Sequence, residues 1–376
     1  MAEELGGAER ELILACLVRD PALDARICEL AGEALAWSDL FLAALWHKVA
    51  FLVYTRLQTT GALDLALVEG NLHLLLLNHW KQLQKVNALR SELYATAAVE
   101  ICAIAEQAGV DLAVSKGGIA MFGREYSRIE RKTYDVDFIG RRDELRGIEE
   151  VFRRGGFAYG EYSHSREAIL PPRQDDLRKY LFQGRGLPNL LRKVDSGPVD
   201  YLVAQVRFRV GSGTTHGNWV PAERLLERSE SREGIRVVSR PDLALQLALH
   251  LHREATEIEY QSWNLDWNLV KICDFQRVVQ DLGGQAAVEE LVERAAELGF
   301  TSELGFAAGI TALLFPSEDL DGLLALLDKP RGSSGGPGPA RPAVDEATVW
   351  RAIWSVGVDS KAQRGAWVQI AGAKTT

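Results

Sequence analysis

The chain has 376 residues, 47% hydrophobic and 25% charged, with a formal net charge of −9. That length allows a large core divided into two or three domains. The acidic balance disfavours a long nucleic acid or an anionic membrane as partner, apart from local basic patches. The N-terminal stretch "MAEELGGAERE" lacks the basic start and apolar core of a signal peptide. The most apolar window, "FLAALWHKVAFLV" at 41–53, is too short to span a bilayer and carries His47 and Lys48 at its middle. Cys16, Cys28, Cys102 and Cys273 stand far apart without a CxxC pair. Buried free thiols in a reducing cytosol are therefore expected, rather than disulfides or a zinc site.

Residues 1–109 read as a helical region. A first amphipathic helix contains Leu12, Leu14, Cys16 and Leu17 and ends at Asp20-Pro21. A long helix runs from about Leu72 to Ala108, with Leu76, Trp80, Leu83, Val86, Leu89, Leu93 and Ala97 as its apolar stripe and Gly109 as its cap. The period changes over 110–235, which predicts a small α/β core. "VDLAVS" and "TYDVDFIG" are strands, the second alternating Tyr134, Val136 and Phe138 against two aspartates. "GIAMFGREY" between them is a short helix or turn, "RRDELRGIEEVFRRGGF" a capped amphipathic helix, and "GPVDYLVAQVRFRV" a third strand. Residues 236–328 return to helices, beginning at Pro241 with Asp242 beside it and continuing through 265–282, 286–298 and 317–328. The Gly/Pro/Ser-rich stretch 329–343 reads as a flexible linker. The tail 344–376 carries Trp350, Trp354 and Trp367, so part of it is expected to dock.

The chemistry is concentrated between residues 115 and 140. Alternate residues of a strand share a face about 6.5–7 Å apart, which points Asp135 and Asp137 the same way. Two carboxylates that close repel unless a cation sits between them. Mg²⁺, or Mn²⁺ in its place, suits the pair, because it completes its shell with water and substrate phosphate. A third carboxylate from a neighbouring strand would complete a two-metal site, and Asp200 is the candidate. Gly117 and Gly118 would let a phosphate approach backbone N–H groups at a helix start. Lys116 and Arg131 would hold the leaving pyrophosphate. Each element alone has a blander reading: a tight turn, a solvated strand edge, a surface cation.

"LAVSKGGIAMFG" followed by "RKTYDVDFIGRRDELRGIEEVFRRGGF" resembles the nucleotidyltransferase fold of DNA polymerase β relatives. It is more narrowly similar to a poorly characterised bacterial nucleotidyltransferase family reading Lys-Gly, then Arg-x-x-x-Asp-x-Asp. The likeness spans roughly 75–300. It implies Asp135, Asp137 and Asp200 as Mg²⁺ ligands, and Lys116, Gly117, Gly118 and Arg131 as nucleotide contacts. Two departures stand out. Many superfamily members have serine where Gly118 stands, and the narrower family often has an acidic residue followed by x-His-Trp where this chain reads Asp200-Tyr201-Leu202; Asp195 is the fallback.

The expected fold is α+β, a mixed nucleotidyltransferase sheet flanked by helical regions. The expected reaction moves an NMP from an NTP to a hydroxyl of a small molecule, peptide or protein, with cytoplasmic location. The competing reading is a non-catalytic nucleotide- or peptide-binding scaffold. His250 and His252, two apart, face different ways on a helix and cannot share a metal. Trp263, Asp266 and Trp267 border a pocket or pack a core. Arg173, Arg178, Lys179, Arg185, Arg192 and Lys193 form a solvated insertion or an anion-binding surface.

Overall fold

The structure, a computed structural model, describes residues 5–123, 125–175, 178, 184–194, 197–211, 218–257, 267–329 and 346–354. Asp195, Lys179, Trp263, Asp266, the predicted linker beyond residue 329 and Trp367 lie outside the described residues. The chain divides into a helical unit, Met1–Gln84 with Leu247–Thr376, and an α/β unit, Lys85–Gln246.

Helices α1 (Gly7–Leu17), α2 (Asp24–Ala31), α3 (Trp37–Trp46), α4 (Ala50–Thr59) and α5 (Ala62–Val68) open the helical unit. Asp20 caps a 3₁₀ turn over Pro21–Leu23, its carboxylate accepting the Ala22 N–H at 2.9 Å. Trp80 lies at the start of α6 (Leu74–Ala108), fully buried, and donates its indole N–H to the Ala50 carbonyl at 2.9 Å.

The α/β unit holds β1 (Leu112–Val114), the 3₁₀ turn Lys116–Gly118, α7 (Ile119–Phe122), β2 (Val136–Gly140) and α8 (Leu145–Arg154). Then come β3 (Ala158–Tyr159), β4 (Glu161–Ser163), β5 (Ala168–Leu170), β6 (Leu190–Lys193) and β7 (Tyr201–Arg207). The unit closes with β8 (Arg209–Gly211), β9 (Trp219–Pro221), α9 (Ala222–Leu226), β10 (Glu230–Arg232) and β11 (Ile235–Val237). Seven strands form one mixed sheet in the order β10-β11-β1-β2-β7-β6-β3, in which β1 with β11 and β2 with β7 are the parallel pairs. Val136 and Phe138 of β2 and Ala204 and Val206 of β7 enter the core, with Phe152 of α8 edge-on to Phe138 at 5.3 Å.

Three details differ from the expected pattern. Tyr134 precedes β2 and is exposed, lying under the Lys132 ammonium at 4.4 Å, so the strand begins two residues later than its alternation suggested. The buried stripe of α6 is also displaced. Leu83 and Leu89 are exposed, while Asn87, Ser91 and Tyr94 are buried. The reason is polar: Asn87 donates to the carbonyls of Ile129 and Arg131 at 3.1 and 3.3 Å, so this helix face binds a backbone segment rather than apolar side chains. The α8 N-terminus also carries no side-chain cap, although Asp143 and Glu144 stand in the preceding turn.

Continuing along the chain are α10 (Arg240–Thr256), α11 (Leu269–Gln280), α12 (Gln285–Leu298), α13 (Thr301–Leu314), α14 (Glu318–Leu327) and α15 (Glu346–Trp354). The sequence reading missed α13, whose apolar residues point in most directions and give no amphipathic stripe. The tail expectation holds for Trp354, which buries edge-on against His47 with ring centroids 5.1 Å apart. No helix among the described residues is long and apolar enough to cross a membrane. All four cysteines are free.

Candidate active site

The turn after β1 is pressed onto β2. Ser115 donates its N–H to the Asp137 carbonyl at 2.8 Å, and Gly118 donates back to Ser115 at 2.8 Å. A Cβ on Gly117 would sit 2.8 Å from the Asp137 nitrogen and 3.1 Å from its carboxylate. Glycine is therefore required at 117 for close backbone approach. Gly118 has a packing reason of its own, since a Cβ there would strike Val114 at 2.3 Å.

Asp137 is 3% exposed, and its Oδ1 has no hydrogen-bond partner within the protein. Its Oδ2 lies 3.8 Å from the Lys116 ammonium. Burial raises the Asp135 carboxyl to about 6, and the neighbouring Asp137 charge adds to the rise. Lys116, Arg131 and Arg207 pull it back down. Two carboxylates and three cations thus act on one another across a small region. A buried carboxylate oxygen without a donor costs free energy unless something positive meets it. The donor chemistry fits Mg²⁺, a hard cation that one or two carboxylates and phosphate oxygens satisfy.

The loop that delivers Asp135 is held from α6. Tyr94 donates its hydroxyl hydrogen to the Tyr134 carbonyl at 2.5 Å and accepts the Val203 N–H at 3.0 Å. It thereby joins β7 to the segment leading into β2 at the level of the first aspartate.

The structure brings Lys116, Gly117, Asp135 and Asp137 together, with Arg131 and Arg207 acting on Asp135. It leaves Asp200 apart, exposed just ahead of β7. The strand register sets Gln205, not an acid, opposite Asp137. Among the described residues, no three His, Cys, Asp or Glu side chains gather where they could hold a metal ion. Sequence reasoning missed Tyr94, Gln205 and Arg207. Gln205 and Arg207 carried one faint signal, alternation within "VAQVRF"; Tyr94 lay in a helix read only for packing.

His250 contacts Glu254 at 2.6 Å, His252 meets the Phe306 ring edge-on at 5.1 Å, and Trp267 is buried near the same ring. Arg185 lies over Trp219 at 4.8 Å, Arg192 pairs with Glu100 at 2.5 Å, and Arg173, Arg178 and Lys193 are exposed.

A mixed sheet, a glycine turn packed on an Asp-x-Asp strand and flanking cations define a nucleotidyltransferase-like α+β fold. A family model described as "Uncharacterised nucleotidyltransferase" matches residues 33–316, and the chain belongs to that family. No curated protein and no solved structure matched the chain. Family membership supports nucleotidyl transfer as the general activity.

Proposed function

We propose that this protein transfers a nucleoside monophosphate from an NTP to a hydroxyl of a small molecule, peptide or protein. The observation that carries the reading is the buried, unpartnered Oδ1 of Asp137 beside Asp135, with Gly117 packed against the same backbone. Asp135 and Asp137 would hold Mg²⁺, or Mn²⁺ in its place. The bound ion would neutralise charge on the phosphates and help align them. Gly117 and Gly118 keep the turn free of side chains, and Lys116 and Arg131 bind the phosphates by charge-assisted contacts. The acceptor oxygen bonds to the α-phosphorus as the bond from that phosphorus to the β-phosphate oxygen breaks. Pyrophosphate leaves toward Lys116 and Arg131. The hydroxyl proton is passed to water as the new bond forms.

Calorimetric titration of the full chain with NTPs in Mg²⁺ and in EDTA tests the reading, and binding is expected only with the metal. Lys116→Ala and Arg131→Ala should each weaken triphosphate binding by roughly 1.5–3 kcal/mol while sparing a nucleoside. Equal affinity with and without Mg²⁺ would leave a nucleotide-binding scaffold without metal chemistry.

A further inference from the structure

Resting on that reading, we infer that the site is built for one divalent ion, and that the Arg207 guanidinium supplies the positive charge a second ion would bring. In a two-metal centre the ions stand about 3.5–4 Å apart, and a further carboxylate beside the pair, on the adjoining strand, would be needed to share them. The adjoining strand here is β7, and its register with β2 is fixed: Val136 faces Ala204, Asp137 faces Gln205, Phe138 faces Val206 and Ile139 faces Arg207. Residues paired across neighbouring strands share a face. Ala204 and Val206 enter the core with Val136 and Phe138. The opposite face therefore sets Gln205 and Arg207 beside the acidic pair, with Val203 one step upstream.

No carboxylate occupies that row. Asp200 lies three residues before Val203, roughly 10 Å along an extended chain. It is exposed, and its carbonyl accepts the Val194 N–H at 3.0 Å just past the end of β6. Its charge acts on Tyr162 of β4.

The row is occupied instead by a cation and its tether. Arg207 donates an Nη2 hydrogen to the Gln205 side-chain oxygen at 2.5 Å. That bond uses the one strong acceptor on the residue facing Asp137 and draws the guanidinium along the strand toward the pair. Arg207 is close enough to act electrostatically on Asp135. A second divalent ion entering here would meet a fixed positive charge and, among the described residues, no third carboxylate. A guanidinium in this place can neutralise phosphate charge with planar, directed N–H donors and does not dissociate. Arg207 is thus a further phosphate-contacting residue.

The test is Mn²⁺ titration of the full chain followed by electron paramagnetic resonance, alone and with saturating inorganic triphosphate as probe. One Mn²⁺ per chain with an uncoupled spectrum is expected under both conditions. Two bound ions with the spin coupling of closely spaced Mn²⁺ would overturn the inference while leaving the metal reading standing. No bound Mn²⁺ would remove the metal reading itself, and this assignment with it. Arg207→Gln supplies the second measurement. Losing the cation should tighten Mn²⁺ alone several-fold and weaken triphosphate about tenfold, an opposition that a merely structural residue would not produce. Weaker or unchanged Mn²⁺ binding in that variant would overturn the role of Arg207. Adding Gln205→Glu to that background should create the missing ligand and admit a second, coupled Mn²⁺.

Discussion

Asp135 and Asp137 are two residues apart in the chain but differ in electrostatic position. Asp137 has Lys116 at 3.8 Å, whereas burial and the Asp137 charge raise the Asp135 carboxyl to about 6. A carboxyl raised above its unfolded value near 3.8 holds its proton more tightly in the folded state. Its contribution to stability therefore falls as pH rises from about 4 to 6. Asp135→Asn should remove that loss and raise the stability of the metal-free protein at pH 7 by roughly 1–3 kcal/mol. Asp137→Asn relieves the repulsion on Asp135 but also removes a partner of Lys116, so its gain should be smaller. Thermal unfolding in EDTA at pH 5 and pH 7 separates the two, and a lower melting point for Asp135→Asn at pH 7 would contradict this electrostatic account. Asp135→Asn should also lose the Mg²⁺–NTP stabilisation, because that shift depends on binding to the native state. The pair was legible in the sequence, since a spacing of two on a strand fixes a shared face. Arg207 was not, because its place beside them depends on β7 pairing with β2 across some seventy residues, which no local pattern encodes.

At the scale of elements, α6 does more than pack. Its buried polar residues replace the apolar stripe that spacing alone suggested, and Tyr94 joins two segments that the β2–β7 ladder does not reach. Tyr94→Phe keeps the ring in the core but leaves the Tyr134 carbonyl and the Val203 N–H without this partner. The expected cost is about 1–3 kcal/mol of stability. Amide exchange at Val203 should quicken, while exchange in β1 stays unchanged. An unaltered Val203 amide would show that the hydroxyl bridge contributes nothing. The strong periodic elements, α6, α8, β2 and β7, were readable because each is long enough to show its period. The strands β3, β4, β5, β10 and β11 have two or three residues each, fewer than alternation needs to declare itself. Their existence follows from tertiary pairing instead.

For the molecule as a whole, the hydrophobic period changes near residues 110 and 236, whereas the compact α/β unit runs from Lys85 to Gln246, because Tyr94, Ala98 and Ile101 of α6 belong to its core. The meeting of distant segments within the helical unit was less legible. A tryptophan-rich tail implied docking without naming the surface, and His47 looked only like a polar interruption in an apolar helix. It is 1% exposed, with Trp354 against its ring, and burial pushes its pKa down to about 4 from an ordinary 6.5. The unfolded chain then binds a proton between pH 4 and 6.5 that the native state refuses. Stability should therefore fall as pH drops through that window, by up to roughly 3 kcal/mol from this group. Asp135 acts with the opposite sign over nearly the same range, so the comparison belongs in an Asp135→Asn background. There, His47→Phe retains an aromatic ring for Trp354 and removes the titrating group. The variant should have a shallower pH dependence between 4 and 6.5 than the background, measured by chemical unfolding at half-unit steps. A slope identical to that of the background would mean that His47 takes up its proton in the folded protein, and that the α15 docking surface admits charge.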